Sequence, residues 1–320
     1  MMLYPFMHLF ILTLFTSTIM ALSSYQWLMV WMSLELNMLS FIPMISSSNW
    51  FQESEASLKY LLFQALGSSL LLLAAINQSL SFLILLGLTM KLGLAPFHFW
   101  FPSVMKSMSW PVALLLLTWQ KIAPMALLFS MFSSYLYLLS LIATTSAIVG
   151  GLGGMVQSQL RPMLAYSSIG HMGWMLAIAP HSPSISFTYL FTYIAISVPI
   201  IWSSLLSKID STKKKSPSYT LSLFILFPLI ISLSGLPPLT GFVPKLLVIM
   251  FLPSFLIMLT LILGSLINLS YYLNFFFTLI MSSVSSKKEG ESPRYMWALS
   301  ALSVLATSPL SFLLLLSFLL

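Results

Sequence analysis

The sequence predicts an all-α integral membrane protein of about eleven transmembrane helices, built as inverted five-helix repeats with two broken helices, an antiporter-like fold. Three observations carry that class. Of 320 residues, 59% are hydrophobic and 6% charged, against about 25% charged in a typical soluble domain, and mean hydropathy is +1.00. Apolar stretches long enough to span a bilayer, about 20 residues, recur between polar, turn-rich breaks. The charged residues fall into alternate loops. So little polar surface excludes a soluble enzyme, and disorder would need low hydrophobicity and high net charge.

Taken in order, the spans lie near 3–22, 25–46, 57–77, 80–105, 109–130, 134–157, 162–180, 185–206, 219–251, 254–282 and 297–319. A barrel is disfavoured, because runs such as 70–75 and 313–316 lack the apolar-out, polar-in alternation of barrel strands. Glu53, Glu55 and Lys59 follow span two, Lys106 span four and Arg161 span six. Lys208, Asp210, Lys213, Lys214 and Lys215 follow span eight; Lys287, Lys288, Glu289, Glu291 and Arg294 follow span ten. The loops after odd spans, such as Ser23–Ser24, carry no Lys, Arg, Asp or Glu. One span more or fewer would scatter these charges, so the alternation supports the count. It places the even loops and the N-terminus on the electrically negative side.

The first Lys or Arg is Lys59. Neither a basic signal n-region nor an Arg- and Ser-rich transit peptide precedes it, so the chain is expected to be made in the compartment that uses it. Cysteine is absent, which excludes disulfides, thiolate zinc sites, iron–sulfur ligation and a catalytic thiol. The net charge of +7 reads as topological bias, and no nucleic-acid partner is expected.

Four charged residues fall inside spans: Glu35 in span two, Lys91 in span four, Lys121 in span five and Lys245 in span nine. Each costs roughly 2.5–3.5 kcal/mol at the bilayer centre, on the order of 10 kcal/mol together, which rivals a protein's net stability. Lysine cannot snorkel out from mid-depth. A buried Glu–Lys pair serving as structural glue is one reading. The other is an ion or proton route, the usual meaning of ionisable groups in a membrane. Protons fit better than metal ions, because lysine offers donors and no acceptor. Desolvation disfavours a charged ammonium and a nearby carboxylate favours it, so a lysine whose glutamate partner approaches and withdraws can be loaded and emptied. His98, at the end of span four, and His171, midway along span seven, are candidate relays or packing residues. His8 and His181 lie near span ends and carry no inference.

Span four holds Gly93-Leu94-Ala95-Pro96 beside Lys91, and span nine holds Gly235-Leu236-Pro237-Pro238 before Lys245. Proline removes a helix hydrogen bond and clashes with the preceding turn, so both helices should break there. Paired interruptions in corresponding spans point to a transport site. Spans four and nine are separated by five, an odd number, and so run in opposite directions. The expected organisation is a first repeat at 1–130, a second at 131–283, and a loop with a C-terminal helix at 284–320. Gly150, Gly151, Gly153 and Gly154 read as close helix packing.

The runs Trp31…Glu35-Leu36-Asn37…Phe41-Ile42-Pro43, Glu55…Lys59-Tyr60…Gln64-Ala65, Met90-Lys91-Leu92-Gly93 through Trp100-Phe101-Pro102, Thr118-Trp119-Gln120-Lys121-Ile122-Ala123-Pro124, Leu164-Ala165-Tyr166-Ser167-Ser168 through Trp174, and Gly235 through Lys245 together resemble the subunit 2 family of mitochondrial NADH:ubiquinone oxidoreductase, respiratory complex I. The resemblance covers spans one to ten; span eleven is generic. It implies an antiporter-like membrane-arm subunit in a short form with eleven helices, which relays protons while NADH oxidation and quinone reduction proceed elsewhere. Carried over from the family, Glu35 and Lys91 form a coupling pair, Lys121 is the central relay, and Lys245 leads towards a neighbouring subunit. The expected step is that, when Glu35 and Lys91 separate, a proton passes through His98 or water towards Lys121.

The resemblance also implies the mitochondrial inner membrane, with charged loops facing the matrix and the C-terminus the intermembrane side. Implied partners are other membrane-arm subunits, antiporter-like and small ones, together with lipid. NADH, FMN, iron–sulfur clusters and ubiquinone are expected in other subunits. Cardiolipin is a candidate ligand near Lys213, Lys214 and Lys215, which equally serve as topology determinants. Ser103 stands where the family often carries an acidic residue, and the loops around Ser46 and Ser79 are short for it. Two alternatives remain at this stage: a component of a cation/proton antiporter, and a scaffold subunit that moves no protons.

Overall fold

The computed structural model describes residues 5–46, 51–77, 80–130, 135–207, 219–237 and 239–284. Span eleven, Pro238, and the loop charges Lys208, Asp210, Lys213, Lys214, Lys215, Lys287, Lys288, Glu289, Glu291 and Arg294 lie outside the described residues. The described regular structure is helical, as expected. Its elements are α1 (Pro5–Ser23), α2 (Trp27–Ile45), α3 (Phe51–Ile76), α4 (Phe82–Leu92), α5 (Trp100–Ser107), α6 (Trp110–Leu117), α7 (Trp119–Ser130), α8 (Leu136–Met155), α9 (Leu160–Ile178), α10 (Pro183–Ser207), α11 (Tyr219–Ser234), α12 (Phe242–Phe251) and α13 (Phe255–Val284).

Among the described residues, seven helical stretches are long and apolar enough to cross a bilayer, with α4 and α12 as shorter apolar pieces beside the breaks. The chain is therefore a multi-pass membrane protein. Large apolar side chains on the outside, such as Phe6, Leu9 and Leu12 of α1, are more than half exposed, as lipid-facing residues should be.

Spans four and nine break where the Gly and Pro residues predict, into α4/α5 and α11/α12. Span three differs from the reading: its helix begins at Phe51, so Glu53, Glu55 and Lys59 lie on its first turns and not in a loop. No Gly or Pro lies between 51 and 57, and acidic residues suit the positive end of a helix dipole. Span five also differs. It is interrupted for one residue at Thr118, which separates α6 from α7. Thr118 Oγ1 donates to the Leu114 carbonyl at 2.7 Å, a back-bond that bends helices.

The chain packs as two units, Met1–Leu138 and Leu139–Leu320. In the first, α2 lies between α1 and α3, α3 packs on α4 and α5, and α7 packs on α1, α4 and α6. Its core holds an aromatic cluster: Tyr60 lies 5.3 Å from Phe41 and 5.8 Å from Trp100 between ring centres. In the second, α9 is packed by α10, α12 and α13 and is buried along nearly its whole length. Its small and polar residues, unsuited to lipid, thus meet protein. Gly150 lies against the Gly170 backbone, and Gly151 against Gly264 and Ile267, so these glycines do serve close packing.

Candidate functional site

In the first unit the site is built on the broken end of α4. Gly93 takes φ 69°, a left-handed conformation that glycine adopts without a Cβ penalty. The Gly93 N–H donates to the Met90 carbonyl and the Leu94 N–H to the Thr89 carbonyl, each at 3.1 Å, the Schellman pattern that ends a helix. Side chains add to these bonds at the same turn. Gln64 Nε2 donates to the Lys91 carbonyl at 3.0 Å, and Trp100 Nε1 to that of Met90 at 3.1 Å. Lys91 is thereby fixed in the last turn of a half-helix, its side chain buried.

Lys121 lies just after the Thr118 interruption, its N–H bonded to the Thr118 carbonyl at 3.3 Å. Its buried ammonium sits 5.3 Å from the centre of the Phe101 ring, near enough for a cation–π attraction. Lys91 and Lys121 line one cavity of about 20 Å³, together with Asn37, Gln64 and Gln120, the size of a single water site. Lys91 Nζ, Asn37 Oδ1 and Gln120 Nε2 are buried without a hydrogen-bond partner among the described residues. Donors and an acceptor thus converge on a space one water molecule would fill.

Glu35 sits beside this cavity on α2, flanked by the lining residues Leu34, Asn37 and Met38. It is partly exposed, acts electrostatically on Lys91, and forms no hydrogen bond with Lys91 Nζ. His98 is in the segment between α4 and α5, buried, with Nδ1 and the Pro96 carbonyl 3.2 Å apart. It is not among the residues lining the Lys91–Lys121 cavity.

In the second unit, Lys245 occupies the first turn of α12 and is buried. Its ammonium donates to the Ser234 carbonyl at the end of α11. Helix ends carry partial negative charge on such carbonyls, so the break in span nine supplies a seat for the cation. The adjoining Gly235 takes φ 82°. The same ammonium lies 5.8 Å from the centre of the Trp174 ring on α9. One turn before Trp174, His171 Nδ1 and the Tyr189 hydroxyl hydrogen-bond at 3.0 Å, and the Tyr193 ring lies 5.4 Å away.

The sequence reading missed Asn37, Gln64 and Gln120 as site residues, along with Tyr189. The available signal was a carboxamide in an apolar span, a group that pays a desolvation cost unless something inside the protein accepts it.

Half-helices that end on buried lysines, inside a polytopic helical fold, define an antiporter-like membrane subunit. The family profile described as NADH:quinone oxidoreductase/Mrp antiporter, TM, matches residues 24–78 and 75–269. NADH-ubiquinone oxidoreductase chain 2 of Lumbricus terrestris is 42% identical over 286 residues, covering 84% of this chain and 85% of that protein. A chain of respiratory complex I from Thermus thermophilus superposes with a TM-score of 0.80 at 24% identity, covering 96% of this chain and 78% of that one. A chain of the Mrp complex from Dietzia sp. DQ12-45-1b gives 0.74 at 18% identity, covering 84% and 60%. The chain belongs to the NADH:quinone oxidoreductase/Mrp antiporter membrane family and, within it, to the NADH-ubiquinone oxidoreductase chain 2 group.

Proposed function

We propose that this chain is a proton-translocating subunit of the membrane arm of respiratory complex I, and that Glu35, Lys91, Lys121 and Lys245, with His171, carry the protons. The observation that carries the reading is the cavity shared by Lys91 and Lys121, lined by Asn37 and Gln120 atoms that lack a partner. A water held there would accept a proton from the ammonium of one lysine and pass one on to the neutral amine of the other. Glu35 sets which lysine holds the charge: near Lys91 it favours the ammonium there, and withdrawn it releases the proton. Lys245 has a carbonyl seat that accepts its charged form. A sodium ion would need oxygen ligands that lysines do not supply. His98 is the weaker member, since it stands off the cavity.

We read the units broken at Gly93 and Gly235 as the inverted repeats 1–130 and 131–283, followed by a C-terminal segment at 284–320. The chain acts within a translocase whose NADH, FMN, iron–sulfur clusters and ubiquinone are bound by other subunits; the lack of cysteine supports that division. The location is the mitochondrial inner membrane, with the N-terminus and charged loops towards the matrix and the C-terminus opposite. Partners are the neighbouring antiporter-like and small membrane subunits, and cardiolipin at Lys213, Lys214 and Lys215.

Protons pumped per NADH oxidised, measured for the complex reconstituted in vesicles, test the relay. Lys121→Met and Glu35→Gln should lower this ratio while the complex still assembles. An assembled Lys121→Met complex that pumps at the normal ratio would overturn the assignment, and sodium-dependent exchange without NADH or quinone would replace it with a cation antiporter.

A further inference from the structure

The second unit contains a larger cavity, of about 250 Å³, at the point where α8 gives way to α9. Gln157 and Ser158 of the connecting loop line it, opposite Tyr271, Asn274 and Thr278 of α13. Val156 beside it is 82% exposed, so the cavity lies at the level of the loop that leads into Arg161. It has room for several waters and polar groups to hold them.

From this cavity a seam of polar atoms runs inward between α9 and α13, which pass in opposite directions. Met163 and Asn274 lie at the cavity, Ser167 lies against Tyr271 and Tyr272, and Gly170 lies against the Asn268 amide. Each step is three or four residues, one helical turn of about 5.4 Å. His171 follows Ser167 by one turn on the same face of α9, and Trp174, which faces the Lys245 ammonium, comes one turn later. Tyr193, whose ring lies beside His171, also reaches Ser168.

The seam is under-satisfied in a directional way. The Tyr271 and Tyr272 hydroxyls approach each other and Ser167 but make no well-formed hydrogen bond among the described residues, nor does Asn268 Oδ1, and the two phenol rings are 4.6 Å apart. A buried polar atom left unpaired costs about 1–3 kcal/mol. Three of them on one seam, leading away from a polar cavity, suit a hydrated passage and not a dry helix contact. Gly154 shapes it: a Cβ there would lie 2.4 Å from Tyr271 Cε1, so only glycine lets the ring into place.

We infer that this cavity is a water-filled vestibule on the Arg161 side, and that the Tyr271–Tyr272–Ser167 seam conducts protons between it and His171, and onward to Lys245. Tyrosine and serine hydroxyls both donate and accept. Each O–H that gives up its proton to the next oxygen or nitrogen receives one from the group behind it, so the seam conducts without net chemical change. The inference rests on the proton-relay function proposed above.

Two measurements on the assembled complex test it. The chain has no native cysteine, so an introduced thiol is its only one. Asn274→Cys and Thr278→Cys should react with a charged, membrane-impermeant thiol reagent, and Leu266→Cys, on the apolar outside of α13, should not. Tyr271→Phe keeps the ring against Gly154 and removes only the hydroxyl; it should lower the pumping ratio as far as Lys121→Met does. Failure of both cysteines to label overturns the vestibule. A normal ratio for Tyr271→Phe, with Lys121→Met impaired, overturns the seam and leaves the relay standing. A normal ratio for Lys121→Met removes the relay itself, and the inference with it.

Discussion

Gln64 Nε2 donates to the main-chain carbonyl of Lys91 at 3.0 Å, tying α3 to the broken end of α4 at the residue whose side chain enters the cavity. The bond answers the difficulty that breaking a helix in lipid creates, because freed carbonyls there have no water to turn to. Gln64→Leu keeps the bulk and removes the donor. It should destabilise this region by about 1–3 kcal/mol, seen as earlier loss of NADH:quinone activity on heating the purified complex. An unchanged inactivation midpoint would show that the carbonyl finds another donor and that Gln64 does not hold Lys91 in place.

Gly235 sits under Lys245 at the second break as Gly93 follows Lys91 at the first. A left-handed conformation costs an L-residue roughly 1–2 kcal/mol. At Gly235 a Cβ would also lie 2.8 Å from Lys245 Cδ and 2.9 Å from Nζ. Gly235→Ala should therefore push the ammonium off the Ser234 carbonyl and lower protons pumped per NADH, with the complex still present on native gels. Normal pumping by that variant would mean the carbonyl seat has no part in proton movement.

The lysines and the two breaks were legible because each breaks a strong local rule: a charge in an apolar run, or Gly and Pro inside a span. The interruption at Thr118 was not, since Thr is common in membrane helices and its bend comes from a back-bond to Leu114. The early start of α3 was missed because Glu53, Glu55 and Lys59 look like loop residues, although Glu and Lys favour helix. The carboxamides stand in the family-like runs, but nothing in those runs shows what they touch. Gln64 meets Lys91 across 27 residues, and only packing brings them together. His98 was singled out by its place in the sequence next to the break, and its ring turns to the Pro96 carbonyl.

The Glu55–Lys59 ion pair provides a contrast. Its atoms approach to 2.6 Å one turn apart on α3, with side chains 65% and 45% exposed. Exposed pairs of this kind are screened and contribute little. Glu55→Gln should leave both pumping and thermal inactivation unchanged within error, and a clear loss in either would mean that a partner subunit buries the pair in the assembled complex.

The cavity between Lys91 and Lys121 separates structural from conducting roles most sharply. Asn37 Oδ1 and Gln120 Nε2 face a space of about 20 Å³ without a partner, so neither atom stabilises the fold as it stands. Replacing buried polar groups by apolar ones of the same shape can be nearly neutral or stabilising where no partner is left unpaired. Asn37→Leu combined with Gln120→Leu should hence leave the inactivation midpoint level or raised. It should also dry the gap between the two ammonium groups and lower pumping, with all four charges intact. Stability and pumping lost together would make the amides structural, whereas neither lost would put the proton's route through the first unit somewhere other than this cavity.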